Sequence, residues 1–174
     1  MTGTVRIFRR TDAPASVRDA IDCFTRAEFG YIPIIRETVW SPPDWHVAFM
    51  DGDRVLSFVS LVERIALFDR LAVKLAGISN MITIEPYRHQ GFGSQVMLQA
   101  QQLIAHDIGA EFGLLLCSDD VIPFYSRLGW FPTGARLRYD QPPAKREWLK
   151  DILTYSPHGK RPACDTIDLN GLPW

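Results

Sequence analysis

The residues best suited to chemistry lie at Arg88-His89-Gln90-Gly91-Phe92-Gly93-Ser94, where two glycines stand between an apolar run and a stretch free of Gly and Pro. At a strand-to-helix turn of this kind, backbone N–H groups converge on a helix N-terminus, where unpaired donors and the macrodipole favour a phosphate. Glycine there permits positive φ and close approach of a ligand. Arg88 would add a charge-assisted contact or cap the turn, and a plain strand-to-helix connection would carry the same residues. The commoner nucleotide fingerprints do not fit. No third glycine follows Gly93 three residues on, and no Gly-Lys-Ser/Thr follows, which excludes dinucleotide and P-loop readings.

Other reactive side chains are scattered. Cys23, Cys117 and Cys164 are widely spaced and odd in number, and His46, His89, His106 and His158 show no ligand spacing, so neither disulfide nor metal site is expected. Cys117 closes an apolar run, where a free cysteine usually packs as a small hydrophobe, and is rejected as a nucleophile. The net charge of −1, from 19 Lys plus Arg against 20 Asp plus Glu, supplies no cationic excess for a nucleic acid or an anionic membrane. The first residues lack the apolar run of a signal peptide, and no stretch approaches the ~18 apolar residues of a membrane span. A cytoplasmic single domain over 1–174 is expected.

These residues need elements to position them. Residues 4–9 alternate as a short strand, and Val17, Ile21, Phe24 and Phe29 fall at helical spacing over 16–29. Strands at 46–50 and 55–62 are joined by Asp51-Gly52-Asp53, a hairpin signal. An apolar strand from Leu71 to Ile84 stops at Glu85-Pro86, and a helix beyond the glycines ends near His106-Asp107. Phe112–Cys117 reads as a buried strand. Ser118-Asp119-Asp120 predicts a capped helix to Leu128, with Gly129 as its stop, and 163–169 adds a last strand. The order strand, helix, three strands, helix, strand, helix, strand predicts an α/β fold with a mixed sheet.

GISNMITIEPYRHQGFGSQVM resembles the central motif of GCN5-related N-acetyltransferases, and LLLCSDDVIPFYSRLGW is similar to the second motif of that family. HVAFMDGDRVLSFVSLVER and the final IDLNGLPW resemble bacterial members related to aminoglycoside 2′-N-acetyltransferases. The resemblance covers about 44–131 and the last eight residues. It implies acetyl-CoA, or another acyl-CoA, bound where two parallel strands splay apart. Backbone groups of Met81, Ile82 and Thr83 would meet the pantetheine and the thioester carbonyl, and residues 88–94 the pyrophosphate. An exposed strand edge suits an amide-bearing arm.

The implied reaction is transfer to a primary amine of a small molecule by direct attack, which needs a neutral amine, a polarised carbonyl and a proton for the departing thiolate. Tyr125 matches the family's thiolate-protonating tyrosine; an ordinary core aromatic would look the same. Relatives place an acid just before the motif, where this chain has Ser79 and Asn80, so the base is water-relayed or elsewhere. Asp44, Glu28, Asp168 and the C-terminal carboxylate of Trp174 are the candidates, each with a solvated surface acid as its alternative. Asp44, Asn80 and Trp174 are expected to contact the acceptor. A non-catalytic acyl-CoA-binding module and a protein N-acetyltransferase are the rival readings, and a homodimer is allowed for.

Overall fold

The structure, a computed structural model, describes residues 3–174. β1 (Thr4–Arg9) and α1 (Ala15–Phe29) open the chain, followed by a short α2 (Pro33–Glu37) that the sequence reading did not foresee. β2 (Trp45–Asp51) and β3 (Arg54–Phe68) form the expected hairpin, with Gly52 at φ +60 in the turn. β3 runs six residues past the expected end at Val62. The reason lies in a change of partner: β2 pairs as far as Leu61, the Asp44 carboxylate accepts the Glu63 N–H at 2.7 Å, and a different strand takes over that edge at Leu67 and Phe68.

β4 (Leu71–Thr83) returns along β3 from Phe68 to Ser57. α3 (Phe92–Leu103) continues into a π-helical turn at Ile104–Ile108, closed by Gly109 in the left-handed region at φ +63. β5 (Phe112–Leu116) follows, then a 3-10 turn at Asp119–Val121 and α4 (Ile122–Ser126). Ser118 makes no side-chain cap, contrary to expectation; Pro123 in the first turn of α4 sets the helix start instead, because its fixed φ is helical and its missing N–H is one that needs no partner. Gly129, at φ +83, ends that segment as expected.

The segment from 131 to 155 contributes β6 (Phe131–Pro132), β7 (Arg136–Tyr139), β8 (Arg146–Trp148) and β9 (Ile152–Tyr155), and β10 (Thr166–Asp168) follows. The sheet order is β6-β9-β5-β4-β3-β10-β7-β8, with β2 and β1 on the first half of β3. β4–β5 and β7–β10 are parallel and the other pairs antiparallel, which makes the mixed α/β sheet expected from the sequence.

Period-two alternation divides the strand residues between two faces. On one, Val47, Val59, Leu61, Ala76, Ile78 and Leu115 pack under α3 residues Val96, Met97, Ala100 and Leu103. The other face carries two cores. Ala48, Met50, Phe58 and Ile82 meet Val17 and Ile21 of α1. Further along the sheet, Val62, Ala66, Leu75 and Leu114 meet Leu137, Ile167, Leu169 and Trp174.

A candidate acyl-donor cleft

β4 pairs with β5 only from Leu75 to Ile78, against Phe112 to Leu115. From Ser79 onward the β5-facing edge of β4 has no ladder partner. On its other edge β4 holds an extra residue: Ser60 faces Ser79 and Phe58 faces Ile82, so three steps on β4 answer two on β3. Such a bulge bends its strand and sharpens the local twist. Asn80 sits in it at φ +51, a conformation that asparagine tolerates better than most residues. The bulge thus turns the last residues of β4, Asn80 to Thr83, away from β5 and leaves backbone N–H and C=O groups open along the edge.

Beyond this opening the chain passes a 3-10 turn at Glu85–Tyr87 and enters α3 through His89 (φ +63) and Gly91 (φ +82, ψ 0). A Cβ at Gly91 would meet nothing within 4 Å, so it is the backbone angle that calls for glycine, and the space above the turn is open. A Cβ at Gly93 would lie 2.6 Å from Met81 Cε and 3.1 Å from Thr83 Oγ1, so the second glycine lets α3 press onto β4. No side chain caps α3. The N–H groups of Phe92, Gly93 and Ser94 therefore remain available to an anion at the positive end of the helix dipole. Phe92 stacks on Phe49 with ring centroids 4.2 Å apart and fixes the start of the helix on the sheet.

Arg88 is held on two sides. Its Nε donates to the Thr83 carbonyl at 3.0 Å, and its terminal nitrogen donates to both Glu28 oxygens at 3.0 Å. The side chain thus fastens the turn to α1 while keeping its charge at the mouth. A cavity of about 490 Å³ extends from Arg88, His89, Gly91 and Gly93, past Met81 and Thr83, to Phe124 and Tyr125 of α4. Gln90 is exposed and does not line it; its side-chain amide donates to the Pro86 carbonyl at 3.1 Å.

Tyr125 is only 9% exposed, edge-on to Phe124 and Trp130, with centroids at 5.0 and 6.4 Å. Burial first, and the neighbouring Cys117 second, push its pKa well above the usual phenol value, so the hydroxyl keeps its proton at any working pH. A proton donor beside a nascent thiolate needs that property. Burial, then the Asp151, Asp119 and Asp120 carboxylates, push the Cys117 thiol up to about 11. A thiol so poorly ionised is a weak nucleophile.

Three of the four candidate acids are occupied. Glu28 lines the cavity but is paired with Arg88. Asp44 caps the Glu63 N–H from the sheet. Asp168 accepts from Lys145 at 2.8 Å and from the Asn170 N–H at 2.9 Å. Trp174 is 6% exposed, and its indole lies against Gly77 of β4 so closely that any Cβ there would collide with the ring. The Arg64 guanidinium sits 5.9 Å from that ring's centroid, and the neighbouring Pro173 carbonyl accepts the Ser41 N–H at 2.7 Å. Trp174 therefore stands on the α1-bearing face of β4, two residues from Ser79, while the glycine turn and Tyr125 belong to the α3 face. No cluster of three or more His, Cys, Asp or Glu side chains with metal-holding geometry occurs among the described residues, and no described helix is long and apolar enough to cross a membrane.

One polar group escaped the sequence reading. His46 is 3% exposed, with Nδ1 2.9 Å from the Oγ of fully buried Ser60. Its alternation with Ala48 and Met50 was visible beforehand; its partner on β3 was not.

The family model described as acetyltransferase (GNAT) family matches residues 15–130. Among solved structures, the chain is similar to a GNAT family N-acetyltransferase, YhbS, from Escherichia coli in complex with CoA, at 14% identity and TM-score 0.65, covering 97% of this chain and 89% of that one. It is also similar to E. coli ElaA, at 13% identity and TM-score 0.62, and to an acyl-CoA N-acyltransferase from Pseudomonas aeruginosa, at 12% identity and TM-score 0.62. Each of those two comparisons covers 89% of this chain and 100% of the other.

Proposed function

This chain belongs to the acetyltransferase (GNAT) family, and from that membership we propose that it transfers an acyl group, acetyl in the first instance, from acyl-CoA to a primary amine of a small molecule by direct attack on the thioester. One observation carries the reading: the open turn at Gly91, the unpaired edge of β4 and the hydroxyl-bearing Tyr125 meet in a single cavity. In this reading the N–H groups at 92–94 and the charge of Arg88 hold the pyrophosphate, with His89 at its rim and Gln90 beyond it. The β4 edge at Met81, Ile82 and Thr83 pairs with the amides of the pantetheine arm, and a backbone N–H there polarises the thioester carbonyl. The amine approaches from the α1-bearing face, near Asn80, with Asp44 and Trp174 as outlying acceptor contacts. Tyr125 gives its proton to the departing thiolate.

An amino sugar is the acceptor to try first, because the β2–β3 hairpin and the last eight residues resemble aminoglycoside 2′-N-acetyltransferase-like members. A second reading, a non-catalytic acyl-CoA-binding module, is favoured by one observation: among the described residues the one carboxylate lining the cavity, Glu28, is tied to Arg88. Thiol release from acetyl-CoA, measured across a panel of amines, aminoglycosides and peptide amines, separates the readings. Acceleration by a small-molecule amine supports transfer; donor binding with no amine-dependent release supports the module.

A further inference from the structure

The α1-bearing face of the sheet is apolar on both sides of one polar row. His46 on β2 lies opposite Ser60 on β3, and Ser60 lies opposite Ser79 on β4. On one side of this row is the core of Ala48, Met50, Phe58 and Ile82 under α1; on the other is the core of Val62, Leu75 and Trp174. Beyond His46 the opposite residue on β1 is Phe8. The row therefore begins at a buried imidazole and ends at Ser79, the first β4 residue without a β5 partner and the one preceding the bulge at Asn80.

Burying His46 and Ser60 in apolar surroundings is unfavourable unless they satisfy one another, and half-buried Ser79 continues the row toward the cleft. Only the first pair is in direct contact, Nδ1 to Ser60 Oγ at 2.9 Å. Residues directly opposite in an antiparallel pair have Cβ atoms about 4.5–5.5 Å apart, which puts Ser60 and Ser79 within reach of each other's hydroxyl or of one bridging water. A second hydroxyl pair, Ser57 Oγ with Thr83 Oγ1 at 2.8 Å, also reaches the splayed end of β4, but Ser57 Oγ lies against the Ile82 carbonyl at 3.1 Å and that pair leads to no base. The row at Ser79 leads to an imidazole, where the acyl-transfer reading needs a proton acceptor and Asn80 offers none.

We propose that His46, Ser60 and Ser79 form a proton relay that takes the proton of the attacking amine out of the cleft, with His46 as the terminal acceptor. The proposal rests on the acyltransferase reading and supplies the base that reading lacks. Addition of the neutral amine forms a C–N bond and leaves an N–H⁺ on the tetrahedral adduct. That proton passes to the Ser79 oxygen, directly or through one water, as Ser79 gives its own hydroxyl proton to Ser60 and Ser60 gives its own to His46 Nδ1. The adduct then collapses, the C–S bond breaks, and Tyr125 protonates the thiolate. After product leaves, the imidazolium returns its proton along the same hydroxyls to water in the emptied cleft, and Tyr125 recovers one from solvent. Burial, then Arg10 with Arg18, hold the imidazole neutral down to about pH 4 against an opposite effect of Asp22, so the ring is uncharged at working pH and the imidazolium, once formed, is quick to discharge.

The relay requires Ser60 O–H to donate to Nδ1, so His46 must carry its own hydrogen on Nε2. Nitrogen-15 NMR of the histidine side chains in the intact chain reads this directly. The Nε2–H tautomer at pH 7 is the expected result; an Nδ1–H tautomer overturns the relay whatever the activity. For turnover, the acceptor is the fastest amine of the panel above. His46→Asn keeps a hydrogen-bond partner for Ser60 but cannot pass a proton on, and Ser60→Ala breaks the row from the other side. Both should bind acetyl-CoA as the parent does and lose about 10²-fold in kcat at neutral pH. The deficit should narrow as pH rises and hydroxide takes over the role. Ser60→Thr, which restores a hydroxyl, should recover most of the rate. A loss in His46→Asn that is equal at all pH values marks the histidine as structural and overturns the proposal, as does parental turnover. If no amine accelerates thiol release in the parent, the acyl-transfer reading fails, and the tautomer alone decides whether the row is wired as described.

Discussion

Replacing Gly91 by valine tests the donor turn through two separable effects. Gly91 stands at φ +82, where a non-glycine residue costs about 1–2 kcal/mol, with a β-branched side chain at the upper end. For a domain of this size, that lowers Tm by roughly 2–8 °C. Nothing lies within 4 Å of the new Cβ, so no core packing is lost and the variant should still fold. The side chain does enter the open space over the N–H groups at 92–94, which a pyrophosphate would fill. Acetyl-CoA at 100 times its Kd stabilises the parent by about 2.7 kcal/mol, or about 5–11 °C in Tm. In Gly91→Val that shift should fall below about 2 °C. Gly91→Asn separates strain from obstruction: asparagine tolerates the left-handed region, so its unliganded Tm should approach the parent's while the acetyl-CoA shift remains reduced. Thermal melts with and without acetyl-CoA supply all the numbers. A folded Gly91→Val that retains the full shift would refute a donor site at this turn.

Tyr125→Phe should lower kcat about 10²-fold with donor affinity nearly unchanged, read by thiol release and by titration with acetyl-CoA; unaltered turnover would pass the acid's role to solvent. Glu28→Gln removes a negative charge that is paired with Arg88 at the mouth of the cleft and should tighten acetyl-CoA binding a few-fold, about 1 kcal/mol or less for so exposed a pair, with the gain fading at high salt. The unfolded chain takes up a proton at His46 below about pH 6.5, whereas the folded chain resists until about pH 4. Stability is therefore lost as pH falls through that window, by about 3 kcal/mol at most, and urea melts of His46→Asn should show a shallower decline over the same window.

Much of this was written in local chemistry. Asp51-Gly52 marked the hairpin, Glu85-Pro86 the end of β4, and Gly91 with Gly93 a turn whose two glycines serve different ends, one a backbone angle and the other a close approach to Met81. What escaped was pairing. β6 to β9 hold two to four residues each and are ordered by neighbours far along the chain, so no period could emerge from them. The bulge at Asn80 needs an extra residue counted against β3, and sequence alone does not give that register. Trp174 finds its place through the absence of a side chain at Gly77, and His46 through a hydroxyl on the next strand. Each depends on which strand lies beside which.

The most direct test of acyl transfer follows the acyl carbon itself. The chain is incubated with acetyl-CoA carrying carbon-13 at the acetyl carbonyl, together with the amine panel, and the label is followed by NMR. The label is expected to appear as an amide of at least one small-molecule amine, at a rate that falls in both Gly91→Val and Tyr125→Phe. Label that stays in the thioester, or appears only as acetate at a rate the amines do not change, would contradict it.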